Sequence, residues 1–573
     1  MSRKQRKDTV RSTRVKGRNA SGRKLPVADP PQCLVLVLTC VLLVLLAGLS
    51  VWEMAGDSVT FDERIRLPAG YAYWKKQDFR LDADNPPLVK FLAAAPLLAM
   101  NLQTPSMEPE SPDKYQDDYW ASTARGWAFG SKFLFSQDTD RIIFWGRLPL
   151  VGLALLLGLL VFSWSRQLHG HPGAGLLSLF LLALEPTILA HSHYVTTDVA
   201  LATFSIMATH FLWRFSREGK FHHLALASLG LGLALASKFS AIFLVPVFFL
   251  LLWLYWPAQG SAMVNFFAQY RSVKARILAS AWAALLAAVT VQACYLFSPD
   301  LSLYFKGLRT VGANIVPNFL VYVHGNFVPG GVWWYSLYAF LLKTPLPTMI
   351  TIIVAGLCYA KHRDHSPRSL VFLLLPVAVF ITVCTFAGNF GVRYMIPATA
   401  FLLVLAGRSY HAFTASRKSK ILAGVVAAWL LVSVLRVSPH YISYFNELIG
   451  GPENAPYYLD DSNVDWGQDL KRLMQYLKKN QIKEVFISYW GPTPPEHYAS
   501  EYGVRTIQMT PEMASSENPQ PGVYAISVNW LVRARSETSR LNEDPRIDWL
   551  GRFKPTGRIG YSIYIYKFPE GRG

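Results

Sequence analysis

The chain has 573 residues, 52% of them hydrophobic and only 16% charged, with a formal net charge of +19. A soluble enzyme of this length carries about a quarter charged residues, so an ordinary soluble protein is excluded. The apolar residues come in blocks near the roughly 17–25 residues that a membrane-crossing helix needs. The expected fold class is therefore a polytopic α-helical membrane protein.

Residues 1–32 form a basic tail, from Arg3 and Lys4 to Arg23 and Lys24, with the composition of a disordered segment. Cys33 to Trp52 is apolar apart from Thr39 and Ser50. This run is longer than a signal-peptide core and no A-x-A site follows it, which favours a retained signal-anchor. Further spans are expected near 142–164, 174–190, 195–214, 222–237, 239–256, 276–298, 345–360, 369–388, 394–408 and 419–436, eleven in all. The short, proline-bearing stretches 86–101 and 333–343 read as re-entrant or interfacial helices, and counting both as spans would give thirteen.

Basic residues concentrate in alternate connections: Arg214, Arg217 and Lys220; Arg271, Lys274 and Arg276; Lys361, Arg363 and Arg368; and Arg408, Arg417, Lys418 and Lys420. By the positive-inside rule these lie in the cytoplasm with the N-terminus. The outer face then holds two long loops, 53–141 and 299–344, and a C-terminal part, 437–573. The net charge is topogenic charge beside an anionic leaflet, and calls for no nucleic-acid partner. The five cysteines, Cys33, Cys40, Cys294, Cys358 and Cys384, sit in or beside apolar spans. They show neither a disulfide framework for the outer domain nor metal-type spacing.

The C-terminal part reads as a small α/β domain outside the membrane. Trp466–Lys479 has helical spacing, with Leu470, Leu473, Met474 and Leu477 on one face. Glu484–Tyr489, Gly522–Val528 and Tyr561–Lys567 read as strands. The preceding run, from Tyr457 to Asp469, is rich in aromatics and acids. It suits sugar contact, packing on the membrane domain or calcium binding, and Asp465 is also placed to cap the helix.

Residues that could carry chemistry gather at the outer face. Asp62-Glu63 stands about ten residues past the first span. Asp82-Ala-Asp-Asn85-Pro-Pro-Leu-Val-Lys90 follows, its prolines suited to a first helical turn and Lys90 either snorkelling to headgroup depth or pairing with a phosphate. Glu185 to Asp198 forms an outer turn with His191 and His193. Asp198 there opens a span, where an ionisable residue is a functional candidate, and His-x-His alone is a weak metal signal. Lys238, Lys343, Arg393-Tyr394 and Arg436 lie at outer helix ends, where basic residues are unexpected. Cations facing a carboxylate suit a phosphate leaving group beside a base. No phosphate-binding loop or dinucleotide fingerprint occurs, and the sugar donors an outer-face enzyme could reach are polyprenyl-phosphate-linked.

These motifs resemble the C-type, polyprenyl-phosphate-dependent glycosyltransferases of the family-39 kind. That group includes the protein O-mannosyltransferases and the aminoarabinose transferases of lipid A. Asp62-Glu63 matches the family's acidic pair, and Asn85-Pro86-Pro87-Leu88-Val89-Lys90 its H-P-P-L-x-K element. His193-x4-Asp198 matches an R-x4-D stretch, and Tyr394-Met-Ile-Pro397 a Tyr-x-x-Pro helix start. Asn85 and His193 depart from the family's His and Arg. The resemblance implies Asp62 as catalytic base, Glu63 as supporting acid and Asp198 as a catalytic-site residue that shapes or polarises the centre. Lys90, Arg393 and Tyr394 would bind the donor phosphate, and Asn85, His193, Lys238 and Lys343 are candidate substrate contacts. It further implies an inverting single displacement of a sugar onto an acceptor hydroxyl of a protein, lipid A or an envelope glycan, at a bacterial inner membrane. No metal ligand is assigned, although relatives differ and a divalent cation is compatible. The alternatives are a flippase for lipid-linked sugars, which would place charges mid-membrane and show inverted repeats, and a non-catalytic assembly protein.

Overall fold

The computed structural model describes residues 30–106, 123–257, 273–313, 319–361 and 367–569, the last range apart from 387, 390, 511, 514, 515, 517 and 541–547. The basic tail through residue 29, Arg271 and Arg363 lie outside the described residues.

Helices occur where the apolar blocks predict them. The first is α1 (Gln32–Gly56), followed within residues 53–141 by α2 (Phe61–Lys76), α3 (Leu88–Ala94) and α4 (Thr123–Phe135). Next come α5 (Thr139–His169), α6 (Pro172–Ala183), α7 (Pro186–His191) and α8 (Asp198–Glu218). α5 starts where the Asp138 side chain accepts from the Arg141 amide at 3.1 Å, and ends at Gly170 in the left-handed region at φ 70°. The expected span 174–190 is two helices, α6 and α7, broken before Pro186, which lacks the amide needed to continue α6.

Among the described residues, five helices are long and apolar enough to cross a membrane: α1, α5, Val273–Cys294, Arg368–Phe386 and Arg417–Leu435. Tyr335–Lys343 and Leu346–Lys361 would make a sixth if their 109° bend is one broken span. Phe221–Ser237, Phe239–Leu254 and Val392–Ala406 are shorter apolar helices at three other expected spans, and Leu88–Ala99 is a short one where a re-entrant helix was expected.

α2 carries the acidic pair and is held by close backbone approaches. A Cβ on Gly70 would come within 2.1 Å of the Lys90 carbonyl, so only glycine lets α2 lie this close to α3. Pro68 cannot donate to the Arg64 carbonyl one turn back. Gly130 of α4 packs against that same carbonyl, where a Cβ would fall 1.8 Å away.

The C-terminal part contains a five-stranded sheet. It is built from β3 (Glu484–Ser488), β4 (Arg505–Gln508), β5 (Gly522–Ser527), β6 (Gly557–Ile559) and β7 (Ile563–Phe568), in the order β4-β3-β5-β7-β6. β3 runs parallel to β4 and β5, whereas β7 runs antiparallel to β5 and β6. The hairpin of β1 (Leu320–Val323) and β2 (Asn326–Pro329) lies within residues 299–344 and touches the C-terminal part at Leu459.

The helix expected over 466–479 begins at Leu470, and its four apolar residues are buried against Val485, Ile487, Ala525 and Ile565 of the sheet. Its start is later because Gly467 turns at φ 88°. Asp465 does not cap it; its carboxylate accepts from the Gly467 amide at 3.3 Å in the turn before. The opposite face of the sheet, with Tyr524, Ile526, Tyr564 and Tyr566, joins the core that continues through the helices of the main body.

Candidate active site

Asp62 lies in the first turn of α2, where the helix dipole favours a negative charge. Its Oδ2 accepts from Nη1 of Arg393 at 2.5 Å and lies 2.7 Å from Nη1 of Arg66, one turn along α2. Burial pushes this carboxyl up, but the Arg393 guanidinium, then Arg66 and Lys238, outweigh it and bring it down to about 2. Asp62 is thus a carboxylate that stays ionised while partly open, with 20% of its side chain exposed.

The Arg393 guanidinium lies over two rings, 4.5 Å from the centre of Trp466 and 5.6 Å from that of Tyr394. Lys238 lies 4.0 Å from the centre of the Tyr394 ring and donates to Oδ1 of Asp198 at 2.6 Å. Asp62, Arg66, Arg393, Tyr394, Lys238 and Asp198 therefore form one connected group, although Asp62 and Arg393 are 331 positions apart. Asp461 faces the same group from the C-terminal part, within electrostatic reach of Arg393, Arg533 and Asp62. Burial pushes its carboxyl up.

Four expected residues are placed differently. Glu63 is fully buried and turned away from Asp62. It accepts from Nε and Nη2 of Arg147 at 2.8 and 2.6 Å, and from the Thr60 amide at the N-cap at 3.0 Å. Lys90 was expected either to snorkel to headgroup depth or to bind a phosphate, and it is buried and ringed by oxygens. Its Nζ donates to the Asp82 and Asn85 carbonyls at 2.6 and 2.7 Å and to the Tyr73 hydroxyl at 3.0 Å, with the Asp82 carboxylate 3.1 Å away. An ammonium has three donors, and the turn before the two prolines together with Tyr73 of α2 consumes them.

His193 is likewise buried and lies 3.2 Å from Oδ2 of Asp57. Lys343 donates to the carbonyls of Ile442, Tyr444 and Asn463 at 2.8, 3.0 and 2.6 Å, so it clamps the start of the C-terminal part. Asn85 is half-buried and donates to Asp84 at 3.3 Å. Arg436 is exposed at the end of its helix. No group of three or more metal-ligating side chains occurs among the described residues, at His191 and His193 or in the acidic run before the sheet.

The sequence reading missed several of the residues that build the site. Arg66 had a visible signal, a basic residue four positions after Asp62 on a helix. Arg147 and Arg472 had none, because each reads as a charge on an expected helix whose partner, Glu63 or Asp57, lies far off in sequence. Arg472 pairs with Asp57 between α1 and α2 and lies 2.8 Å from Asp469. Burial pushes the Asp57 carboxyl up, but Arg472 and then His193 overcome it and hold it below the usual carboxylate range.

The turn under Lys90 is pH-sensitive by construction. Burial, then the neighbouring Asp82 carboxylate, push the Asp84 carboxyl up to about 7. The unfolded value is about 3.9, so the folded state holds an extra proton between the two values. The stability from that proton is complete below the unfolded value and is lost as pH rises through about 7. Thermal unfolding of the wild type should therefore worsen from pH 5.5 to 8.5, by roughly a few degrees, more than that of Asp84→Asn. Parallel curves for the two proteins would remove Asp84 as the cause.

Residues 141–259 match the model of the family described as dolichyl-phosphate-mannose-protein mannosyltransferase. That segment is similar to the family. The match bears out the resemblance read from the motifs, and it includes His193 and Asp198 but neither Asp62 nor Arg393. No curated protein sequence matches the chain. Among solved structures, ArnT from Cupriavidus metallidurans in the apo state is 11% identical, over 93% of this chain and 97% of that one, with a TM-score of 0.44. The same protein bound to undecaprenyl phosphate is 12% identical over 94% and 98%, also at 0.44. The archaeal oligosaccharyltransferase AglB from Archaeoglobus fulgidus, in complex with an inhibitory peptide and a dolichol-phosphate, is 11% identical over 88% and 71%, again at 0.44.

Proposed function

We propose that the protein is an integral-membrane glycosyltransferase that moves a sugar from a polyprenyl phosphate to an acceptor hydroxyl at the outer face of a bacterial inner membrane. The observation that carries this reading is the Asp62–Arg393 pair, an ionised carboxylate held by a guanidinium beside a second cation, Lys238. The family match over 141–259 supports it.

In this reading Arg393, Lys238 and Tyr394 receive the donor phosphate. Arg393 then exchanges Asp62 for the phosphate, and a guanidinium suits both partners because its fork fits carboxylate and phosphate oxygens alike. Relieved of Arg393, Asp62 becomes more basic and takes the proton of the acceptor hydroxyl. The hydroxyl oxygen attacks the anomeric carbon, the bond to the phosphate oxygen breaks, and the cations hold the departing phosphate. One displacement inverts the anomeric centre. Asp198 holds Lys238 in place. Glu63, Lys90 and Lys343 are assigned positioning roles, because their charged atoms are consumed by the protein itself.

The test uses purified protein in lipid discs, labelled polyprenyl-phosphate sugars, nucleotide sugars and a crude envelope acceptor fraction. Label should move from the lipid-linked donors only. Transfer from nucleotide sugars would overturn the donor class. Movement of the lipid-linked sugar across a bilayer without a new glycosidic bond would favour a flippase.

A further inference from the structure

Phe61, the residue before Asp62, belongs to a row of aromatic rings that the reaction scheme does not use. Its ring lies 5.8 Å from that of Trp127 on α4 and 5.4 Å from that of Trp490 after β3. Trp530 meets Trp490 edge-on at 6.1 Å and is 38% exposed. The row thus runs from α2, at the residue before the proposed base, to the C-terminal part.

A guanidinium sits over a ring toward each end. Arg64 is 4.8 Å from the centre of Trp127, and Arg533 is 5.4 Å from that of Trp490. Their electrostatics set them apart from the arginines of the site. Arg66, Arg147, Arg393 and Arg472 each face a carboxylate within 4 Å, whereas Arg64 and Arg533 form no ion pair among the described residues. The side-chain Nε of each, and the indole N–H of Trp490, are buried without a hydrogen-bond partner. Arg533 has Asp460 and Asp461 within electrostatic reach but no ion pair within 4 Å among the described residues, and rings that served only to join two segments would not need two such cations and an orphaned donor on one row. Buried donors of this kind are normally satisfied, so an unfilled set points to a ligand that brings acceptors.

We propose that this row is an acceptor subsite for an anionic saccharide. The apolar faces of its sugar rings would stack on Phe61, Trp127 and Trp490. Its carboxylates or phosphates would meet Arg64 and Arg533, and a ring hydroxyl would accept from the Trp490 N–H. Phe61 opens the same helical turn that carries Asp62, so the row starts within one turn of the base. The name "acceptor" rests on the transferase reading; the binding itself does not.

The experiment measures binding to the full-length protein in lipid discs by calorimetry, without a sugar donor. The probes are tetragalacturonate, neutral maltotetraose and an acidic peptide of equal charge. Tetragalacturonate should bind best. Trp490→Ala and Arg533→Gln should each weaken it by roughly tenfold, as truncation of buried aromatic and arginine anchors does, while Trp490→Phe keeps most of the affinity. A uronic-acid glycolipid built into the disc separates a membrane-borne saccharide from a soluble one, and binding of either supports the subsite. Farnesyl phosphate affinity, unchanged in these variants, shows that they are folded. Because binding is read without a donor and needs no transfer, a failed transferase assay and a failed subsite give different results. Equal binding of maltotetraose, tighter binding of the peptide, or indifference to both substitutions would overturn the proposal.

Discussion

Asp62→Asn is expected to lower sugar transfer by about a hundred- to ten-thousand-fold, the range that a positioned general base supplies. Asparagine keeps the shape and can still meet Arg393 and Arg66, so the fold and the binding of a lipid phosphate should survive. A variant that loses activity together with its unfolding transition would show a structural rather than a catalytic Asp62.

The pH dependence makes the same assignment sharper. With Arg393 on it, Asp62 loses its proton near pH 2, which makes a poor base. A phosphate that draws Arg393 away removes the largest opposing charge, and burial then pushes the carboxyl upward. Transfer by donor-saturated protein should therefore fall with acid along a limb whose midpoint lies well above pH 2. Activity is present above that midpoint and lost below it, since only the ionised form accepts a proton. An acid limb still near pH 2 would mean that Arg393 never leaves Asp62, and the exchange would be wrong even if the base is right.

Much of the helical layout was legible because a crossing helix must be apolar over a known length. The partners of individual charges were harder to read. Lys90, Lys238, Lys343 and Arg393 look alike in sequence, each a cation near the end of an expected helix. The structure separates them by what surrounds the charged group. Lys238 and Arg393 meet carboxylates at a partly open group, whereas Lys90 and Lys343 are drawn inside by carbonyl oxygens. Spacing along the chain carries depth, not burial.

The same limit explains Asp57, whose partner Arg472 is 415 positions away. In the C-terminal part, the three apolar strands were visible, but β4 and β6 were not. β4 is an edge strand of four partly exposed residues and β6 has only three, too short for an alternating pattern to register.

Arg147→Met is expected to destabilise the protein more than any change at the open site. All five guanidinium N–H donors of Arg147 have an oxygen in reach. Nε and Nη2 donate to Glu63, Nη2 also to the Ser58 carbonyl at 2.7 Å, and Nη1 to the Asp57 and Met54 carbonyls at 3.0 and 3.2 Å. Both side chains of the Arg147–Glu63 pair are fully buried. Removing the arginine leaves the Glu63 carboxylate buried without its counter-charge, a change that costs about 3–5 kcal/mol. It also frees the turn Asp57–Thr60 that leads into α2, so Asp62 should lose its position and transfer should fall with stability.

The double variant Arg147→Met with Glu63→Gln separates these effects. It removes both charges, and neutralising a buried pair together is far less damaging than halving it. Unfolding measured in detergent should recover a large part of the single variant's loss. Transfer should recover less, because no guanidinium then ties the 54–58 carbonyls to α2. Full recovery of transfer with stability would mean that the pair serves the fold alone. No recovery of either would place the damage in the lost backbone contacts rather than in the orphaned carboxylate.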